Sequence, residues 1–211
     1  MNTANKILIA IPTNGLVDGR TSNFASLLSQ RPDVDYITVI GRPTDYSRNS
    51  AVRIFLGHKV YTHLFFLDSD IVPPLDVLDR LLALDEDLAS GCYAVAMPSG
   101  LRWALSNRNQ EGKYILLPDL LSEQSPFYVD GGGAGCLLIK RNVLDRLSWP
   151  WFCWIEYPDG NQISEDIFFF QRCNEIGARL KVDPQVRCHH YKITDLTSLL
   201  QARIKQPLTN Q

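Results

Sequence analysis

The sequence lacks several features that would assign it to a class at once. It has no continuous apolar run long enough to span a bilayer, and its polar start, MNTANK, leads into a short strand-like ILIAI rather than a signal peptide. It has no CxxC pair, so a structural zinc site is not expected despite Cys188-His189-His190. It has no large excess of charge of either sign. Twenty-one basic and 23 acidic residues leave a formal net charge of −2, which gives no global attraction to nucleic acid or acidic membranes. It shows no internal repeat and no low-complexity linker. Five cysteines, Cys92, Cys136, Cys153, Cys173 and Cys188, are odd in number and lie in apolar surroundings, which argues against a disulfide framework. They read as reduced core thiols of a cytoplasmic protein.

What remains is an ordinary globular balance, 45% hydrophobic and 21% charged, in 211 residues. That length suits one domain, 1–211, with a core of its own. Up to about residue 98, short apolar runs alternate with helix-like stretches: KILIAIP, SNFASLLSQ, DYITVIG, SRNSAVRIFLGH, THLFFL, PLDVLDRLLALD and DLASGCYAVA. This βαβαβαβ order predicts an α/β fold with a mostly parallel central sheet and helices on both faces. Residues 99–135 break the rhythm and predict a small antiparallel or irregular region. CLLIKR then resumes a strand and NVLDRL a short helix. SEDIFFFQRCNEIGA reads as a longer helix, with Ser164 as its cap, Glu165 and Asp166 in its first turn and Gly177 at its end. Phe169, Cys173 and Ile176 form a stripe on it that reads as core. RLKVDP is a last strand, and residues 191–211, including the amphipathic TDLTSLLQARIKQ, read as a helical tail.

The chemistry concentrates at strand ends. In THLFFLDSDIVPP an apolar run stops at Asp68, Ser69 and Asp70. Ligands of open α/β sheets gather at the carboxyl ends of strands, and residues two apart in an extended chain point the same way. Two such carboxylates repel unless a divalent cation or several donors lie between them. The plainer explanation of the tripeptide is a turn that caps the next helix. Four further stretches stand with it: Asp45-Tyr46-Ser47-Arg48-Asn49 at a helix start, Asp130-Gly131-Gly132-Gly133-Ala134-Gly135 before a strand, Ser164-Glu165-Asp166, and VDPQVRCHH ending on His190. The glycine run is no P-loop, because the Lys-Ser/Thr ending is missing.

This ordered set, from about Ile7 to His190, resembles the GT-A fold glycosyltransferases, especially the family-2-like group and its small bacterial and phage relatives. The resemblance implies a nucleotide-binding half at 1–98 and an acceptor and catalytic half at 99–190. It also implies transfer of a sugar from a UDP- or GDP-linked donor to a glycan or other hydroxyl-bearing acceptor. By that resemblance, Asp70, His190 and Asp68 are the expected ligands of Mn²⁺ (or Mg²⁺), with His189 an alternative imidazole. Pro12, Thr13, Asn14, Arg48, Asn49, Asp68, Ser69, Gly132 and Gly133 are expected at the nucleotide sugar, Asp130 and Trp154 at the acceptor. Glu165 and Asp166 are the expected catalytic pair. Asp166 is the base of an inverting displacement, and Glu165 serves the helix dipole, which would lower both carboxyl pKa values. Each has a simpler reading beside it: Pro12 to Asn14 as a βα turn, Arg48 as a surface ion pair with Asp45, the glycines as a flexible loop, Trp154 as packing. Two rivals stand beside the transferase. One is a catalytically idle module that binds nucleotide sugar or glycan. The other is a nucleotidyltransferase, weakened by the single Arg20 in the loop after the first strand. Nucleic acid is disfavoured as partner, and oligomeric state is not encoded in any motif.

Overall fold

A computed structural model describes residues 5–98, 100–117, 123–158 and 160–193. The expected tail helix at 194–206 lies outside the described residues. The centre is a seven-stranded sheet made of β1 (Ile7–Thr13), β2 (Val34–Ile40), β3 (His63–Leu67), β4 (Leu88–Cys92), β5 (Phe127–Val129), β6 (Cys136–Lys140) and β7 (Leu180–Arg187). Their order is β5-β7-β4-β6-β3-β1-β2. Five strands run one way, and β5 and β6 run against them. The mostly parallel α/β sheet is therefore present, with the first three strands in pure βαβ connection.

Burial explains why the apolar runs are continuous rather than alternating. Every residue of β1 and β3 is buried, because helices cover both sheet faces. Successive side chains still part to opposite sides. Leu8, Ala10, Leu64 and Phe66 join the core beneath α2 (Thr44–Gly57), α4 (Arg141–Arg146) and α5 (Glu165–Glu175). Ile7, Ile9, Ile11, Phe65 and Leu67 join a second core with α1 (Gly19–Leu28) and α3 (Val77–Ala83). The stripe on α5 packs as expected: Phe169 and Cys173 are buried, with Ile176 against them.

The boundaries of α5 follow its sequence. The Ser164 hydroxyl accepts from the Ile167 N–H at 3.4 Å, and Gly177 adopts φ +77° just past the end. There Ala178 N–H donates to the Cys173 carbonyl and Gly177 N–H to that of Asn174, the paired bonds of a Schellman turn. The expected antiparallel pairing at 99–135 is present and begins earlier, at Ala94. Ala94–Met97 pairs with Gly100–Trp103, and Leu105–Arg108 pairs with both Tyr114–Leu116 and Gly131–Gly132. The stretch DLASGCYAVA is two strands rather than one, broken at Tyr93. Among the cysteines, Cys92, Cys136 and Cys173 are buried, but Cys153 and Cys188 are only partly so; all five are free.

One aromatic column ties the sheet to α5. Phe66 meets Phe152 edge-on at 5.3 Å, and Phe152 stacks on Phe169 at 4.5 Å. Phe152 has no exposed surface, whereas Trp149, three residues earlier, is 66% exposed. Truncating Phe152→Ala is expected to cost about 3–5 kcal/mol of stability through the cavity left between sheet and helix. Trp149→Ala is expected to stay within about 0.5 kcal/mol. Urea unfolding of the two variants beside the wild type measures both.

Candidate active site

β3 delivers Asp68 to the end of the sheet, where its N–H donates to the Gly135 carbonyl at 3.0 Å. The chain then turns tightly, Ile71 N–H returning to the Asp68 carbonyl at 3.1 Å. Beyond β7, His189 and His190 run antiparallel to Ile71 and Val72, His190 opposite Ile71. That short ladder carries a residue from the far end of the sequence to Asp70. His190 Nε2 lies 3.4 Å from Asp70 Oδ1, while its Nδ1–H donates to the Ala94 carbonyl at 2.7 Å. With Nδ1–H committed to Ala94, Nε2 is the ring nitrogen turned to Asp70: its N–H donates to the carboxylate while the ring is protonated, and loss of that proton frees its lone pair. His189 is exposed and stacks on Tyr191 instead, so the geometry brings His190 and not His189 to the carboxylate.

The two aspartates of the tripeptide do not share one counter-ion. Asp68 Oδ1 accepts from Arg48 Nη2 at 2.9 Å, and Asp70 Oδ2 accepts from Lys192 Nζ at 2.5 Å. Burial would raise the pKa of Asp70, but His190 and Lys192 outweigh it and hold it low. His190 is raised in turn, chiefly by its hydrogen bond to Asp70. Lys192 gave no signal in the sequence because a lone lysine near a chain end has no motif around it.

Arg48 is the hub. Its side chain is 2% exposed, with the guanidinium over Phe66 and Phe152 at 5.3 and 5.8 Å. Besides Asp68 it faces Glu165 Oε1 at 3.5 Å and Asp166 Oδ1 at 3.3 Å. The expected surface pair with Asp45 does not form. The Asp45 carboxylate instead accepts from the N–H of Tyr46 at 2.8 Å and of Trp154 at 3.5 Å. Burial would lower the pKa of Arg48, and Asp68, Asp166 and Glu165 together raise it instead. Its neighbour Asn49 points elsewhere, since consecutive helical residues sit about 100° apart. Asn49 accepts from the N–H groups of Trp151 and Phe152 and donates to the Phe152 carbonyl at 2.7 Å, and so is spent on holding that loop.

Asp166 departs from the helix-dipole expectation. Its pKa is pushed up to about 7, first by burial and then by Glu165 and Asp68, against the lowering pull of Arg48 and the Ala134 N–H. Among the described residues its Oδ1 contacts Arg48 in an ion pair but has no hydrogen-bond partner, and the Arg48 Nη1 and Ser106 Oγ atoms share that condition. Asp166 opens onto a chamber of about 200 Å³ that Tyr93, Ser106, Gly132, Gly133, Ser164 and Ile167 also line.

Tyr93 is the residue the sequence reading missed. It is buried at the break between the two strands, edge-on to His190 at 5.3 Å, and its hydroxyl accepts from the Gly135 N–H at 3.1 Å. Burial raises its pKa well above the usual value, with Asp68 and Asp166 adding to the rise. Two glycines of the run, Gly133 and Gly135, are required by this contact. A Cβ on Gly133 would lie 2.0 Å from the tyrosine hydroxyl, and one on Gly135 would lie 2.8 Å from Asp68 Oδ2. The close approach is therefore to Tyr93 and Asp68, rather than the flexible loop that three glycines also allowed. A pattern search finds glycines but not the ring they make room for.

Pro12, Thr13, Asn14, Asp68, Ser69 and Asp70 line a second pocket of about 190 Å³, joined by Thr44, Ser47 and Lys192. Asp130 lines neither pocket; its carboxylate accepts from the Arg108 N–H at 2.7 Å. Trp154, half exposed, lines a third and larger cleft. Among the described residues, no three His, Cys, Asp or Glu side chains cluster as a metal cage. The donors that do converge, Asp70 Oδ1 and His190 Nε2, suit a divalent ion whose other ligands come from a bound molecule.

Asp166 carries a stability signature. Its pKa lies above that of an unfolded aspartate, near 3.9, so the folded state holds the extra proton between about pH 4 and 7. Its contribution to stability is therefore fully present below pH 4, is lost as pH rises to 7, and is flat above that. Asp166→Asn is expected to be more stable than the wild type at pH 8, by a few kcal/mol at the order-of-magnitude level, with the gap closing toward pH 4. Denaturant titrations at the two pH values measure this.

No family model matches the chain, and no curated protein matches it in sequence. Solved structures do match in shape. The crystal structure of A197 from STIV superposes with a TM-score of 0.60 at 21% identity, over 89% of this chain and 86% of that one. The crystal structure of GalNAc-T7 with UDP, GalNAc and Mn²⁺ superposes with a TM-score of 0.55 at 11% identity, over 91% of this chain. This chain spans less than half of that protein, 45% of it. At such identities the likeness is one of fold, and the fold it shows is GT-A-like, shared with a glycosyltransferase.

Proposed function

We propose that the protein is a metal-dependent glycosyltransferase. It would move a sugar from a UDP- or GDP-linked donor to an acceptor hydroxyl, with inversion and with Asp166 as base. The observation that carries this reading is the presence of two carboxylates in different environments, Asp70 paired with His190 and Lys192 and Asp166 buried beside Arg48. Asp70, held low and beside His190 Nε2, which can exchange its proton for a metal, suits a cation. Asp166, held near neutrality, suits a proton acceptor. The fold shared with GalNAc-T7, whose crystal contained UDP and Mn²⁺, supports the same division.

In this reading the nucleoside diphosphate occupies the pocket of Pro12, Thr13, Asn14 and Ser69, with Asp70 and His190 holding the divalent ion. When bound, the ion neutralises charge on the departing diphosphate. Lys192 sits close enough to add a second positive charge there. The acceptor hydroxyl enters the chamber at Asp166 and gives its proton to the carboxylate. Its oxygen bonds to the anomeric carbon as the bond from that carbon to the diphosphate oxygen breaks. Arg48 keeps Asp68 and Glu165 neutralised without reaching substrate, and so positions the base. The nucleotidyltransferase rival loses support, because Arg20 is committed to the Asp18 carboxylate at 2.6 Å and to the face of Tyr191.

Calorimetric titration of UDP and GDP, each with and without Mn²⁺, tests the donor side. One nucleotide is expected to bind only with Mn²⁺, and Asp70→Ala to weaken it at least about tenfold. Absence of binding by either nucleotide under all conditions would remove the proposal. For the base, Asp166→Asn is expected to lower kcat by about 10²–10⁴-fold. The wild-type kcat/KM should rise with pH through about 7, following Asp166 ionisation.

A further inference from the structure

Beside the chamber at Asp166 lies a far larger cleft of about 780 Å³. This is the size of a small-molecule site, about 300–1,000 Å³, and much more than one sugar hydroxyl needs. Ser164 and Ile167 line both spaces, so the cleft opens on the base at the first turn of α5. Three aromatic rings border it: Tyr114, Trp154 and Tyr157. Trp154 is 50% exposed and Tyr157 42%, although rings of this size gain by burial. Tyr114 is held by a 3.4 Å contact from Asn174 to its hydroxyl.

The polar lining is mostly uncharged. Gln162 and Gln171 bring side-chain amides that both donate and accept. Among the described residues of the lining, the one charged side chain is Lys113, and its ammonium is paired with Glu111 at 3.0 Å. A cleft of this kind offers little to phosphates or to an acidic chain, which need unpaired cations. It fits pyranose rings, whose C–H faces lie on aromatic rings while their hydroxyls meet amides. The chamber beyond adds an independent observation: Asp166 and Ser106 line it, and among the described residues Asp166 Oδ1, apart from its ion contact with Arg48, and Ser106 Oγ are buried without hydrogen-bond partners. A hydroxyl at the end of a chain seated in the cleft would enter the chamber that both residues line.

We propose that the acceptor is a neutral oligosaccharide, seated along Tyr114, Trp154 and Tyr157 with its terminal hydroxyl at Asp166. This rests on the transferase reading for the role of the hydroxyl, but the cleft's preference is a binding property and is read without turnover. A neutral chain several sugars long therefore binds better than a single sugar of the same kind.

The test is calorimetric titration of the wild-type protein with neutral hexasaccharides of glucose, mannose, xylose and N-acetylglucosamine, each beside its monosaccharide. A galacturonic acid hexamer and a short thymidine strand are the charged comparisons. At least one neutral hexasaccharide is expected to bind, at least about tenfold more tightly than its monosaccharide and than both charged chains. Trp154→Ala and Tyr157→Ala are each expected to weaken it about tenfold. Both side chains are substantially exposed, and circular dichroism checks that the variants fold. Binding of no neutral hexasaccharide, equal or tighter binding of a charged chain, or full affinity in both variants would overturn the inference. The UDP and GDP titrations on the same protein separate the two proposals. Nucleotide without oligosaccharide removes the cleft assignment alone, and oligosaccharide without nucleotide removes the transferase alone.

Discussion

The Arg48 guanidinium has left water almost completely, so its counter-charges must come from inside the fold. They come from the end of β3 and the first turn of α5, two segments nearly a hundred residues apart in sequence. A buried cation of this kind is tolerable only if those segments arrive together. The aromatic column beneath it, Phe66, Phe152 and Phe169, supplies the dry floor that strengthens each ion contact. Three carboxylates around one guanidinium leave an excess of negative charge. Part of that excess is relieved by the proton that Asp166 holds until near neutrality. The same imbalance that costs stability thus creates a base.

Much of the fold was legible because the sheet is covered on both sides. Full burial writes β1 and β3 as unbroken apolar runs, and the helices between them as amphipathic stretches. The direction of a strand leaves no such trace. β6, CLLIK, is as buried as its neighbours, and nothing in its residues says that it runs against β3 and β4. The break at Tyr93 was hidden for a related reason, since LASGCYAVA is apolar but for Ser90 and the interruption is one of geometry.

At the site, residues in short motifs at element ends were readable: Asp68, Asp70, Glu165 and Asp166 stand where the chain leaves a strand or enters a helix. The choice between His189 and His190 needed the two-residue ladder, because adjacent strand residues face opposite ways. Tyr93, Ser106 and Lys192 were silent, each a lone residue brought in by tertiary contact. Arg48 and Asn49 show the reverse failure. Adjacent in sequence and read together, they face different directions on α2, one toward carboxylates and the other into the backbone of 151–152.

The ladder between His189–His190 and Ile71–Val72 also bears on how the protein is made. It joins residues separated by more than a hundred positions, and contacts of such separation form late, after the entropy of closing the intervening chain has been overcome. A chain emerging from the ribosome displays the DSD turn long before His190 and Lys192 exist to balance it. Until then Asp70 has no cationic neighbour from the protein. The pocket that Asp70 and Lys192 line is therefore completed only after residues 189–192 have joined the DSD turn.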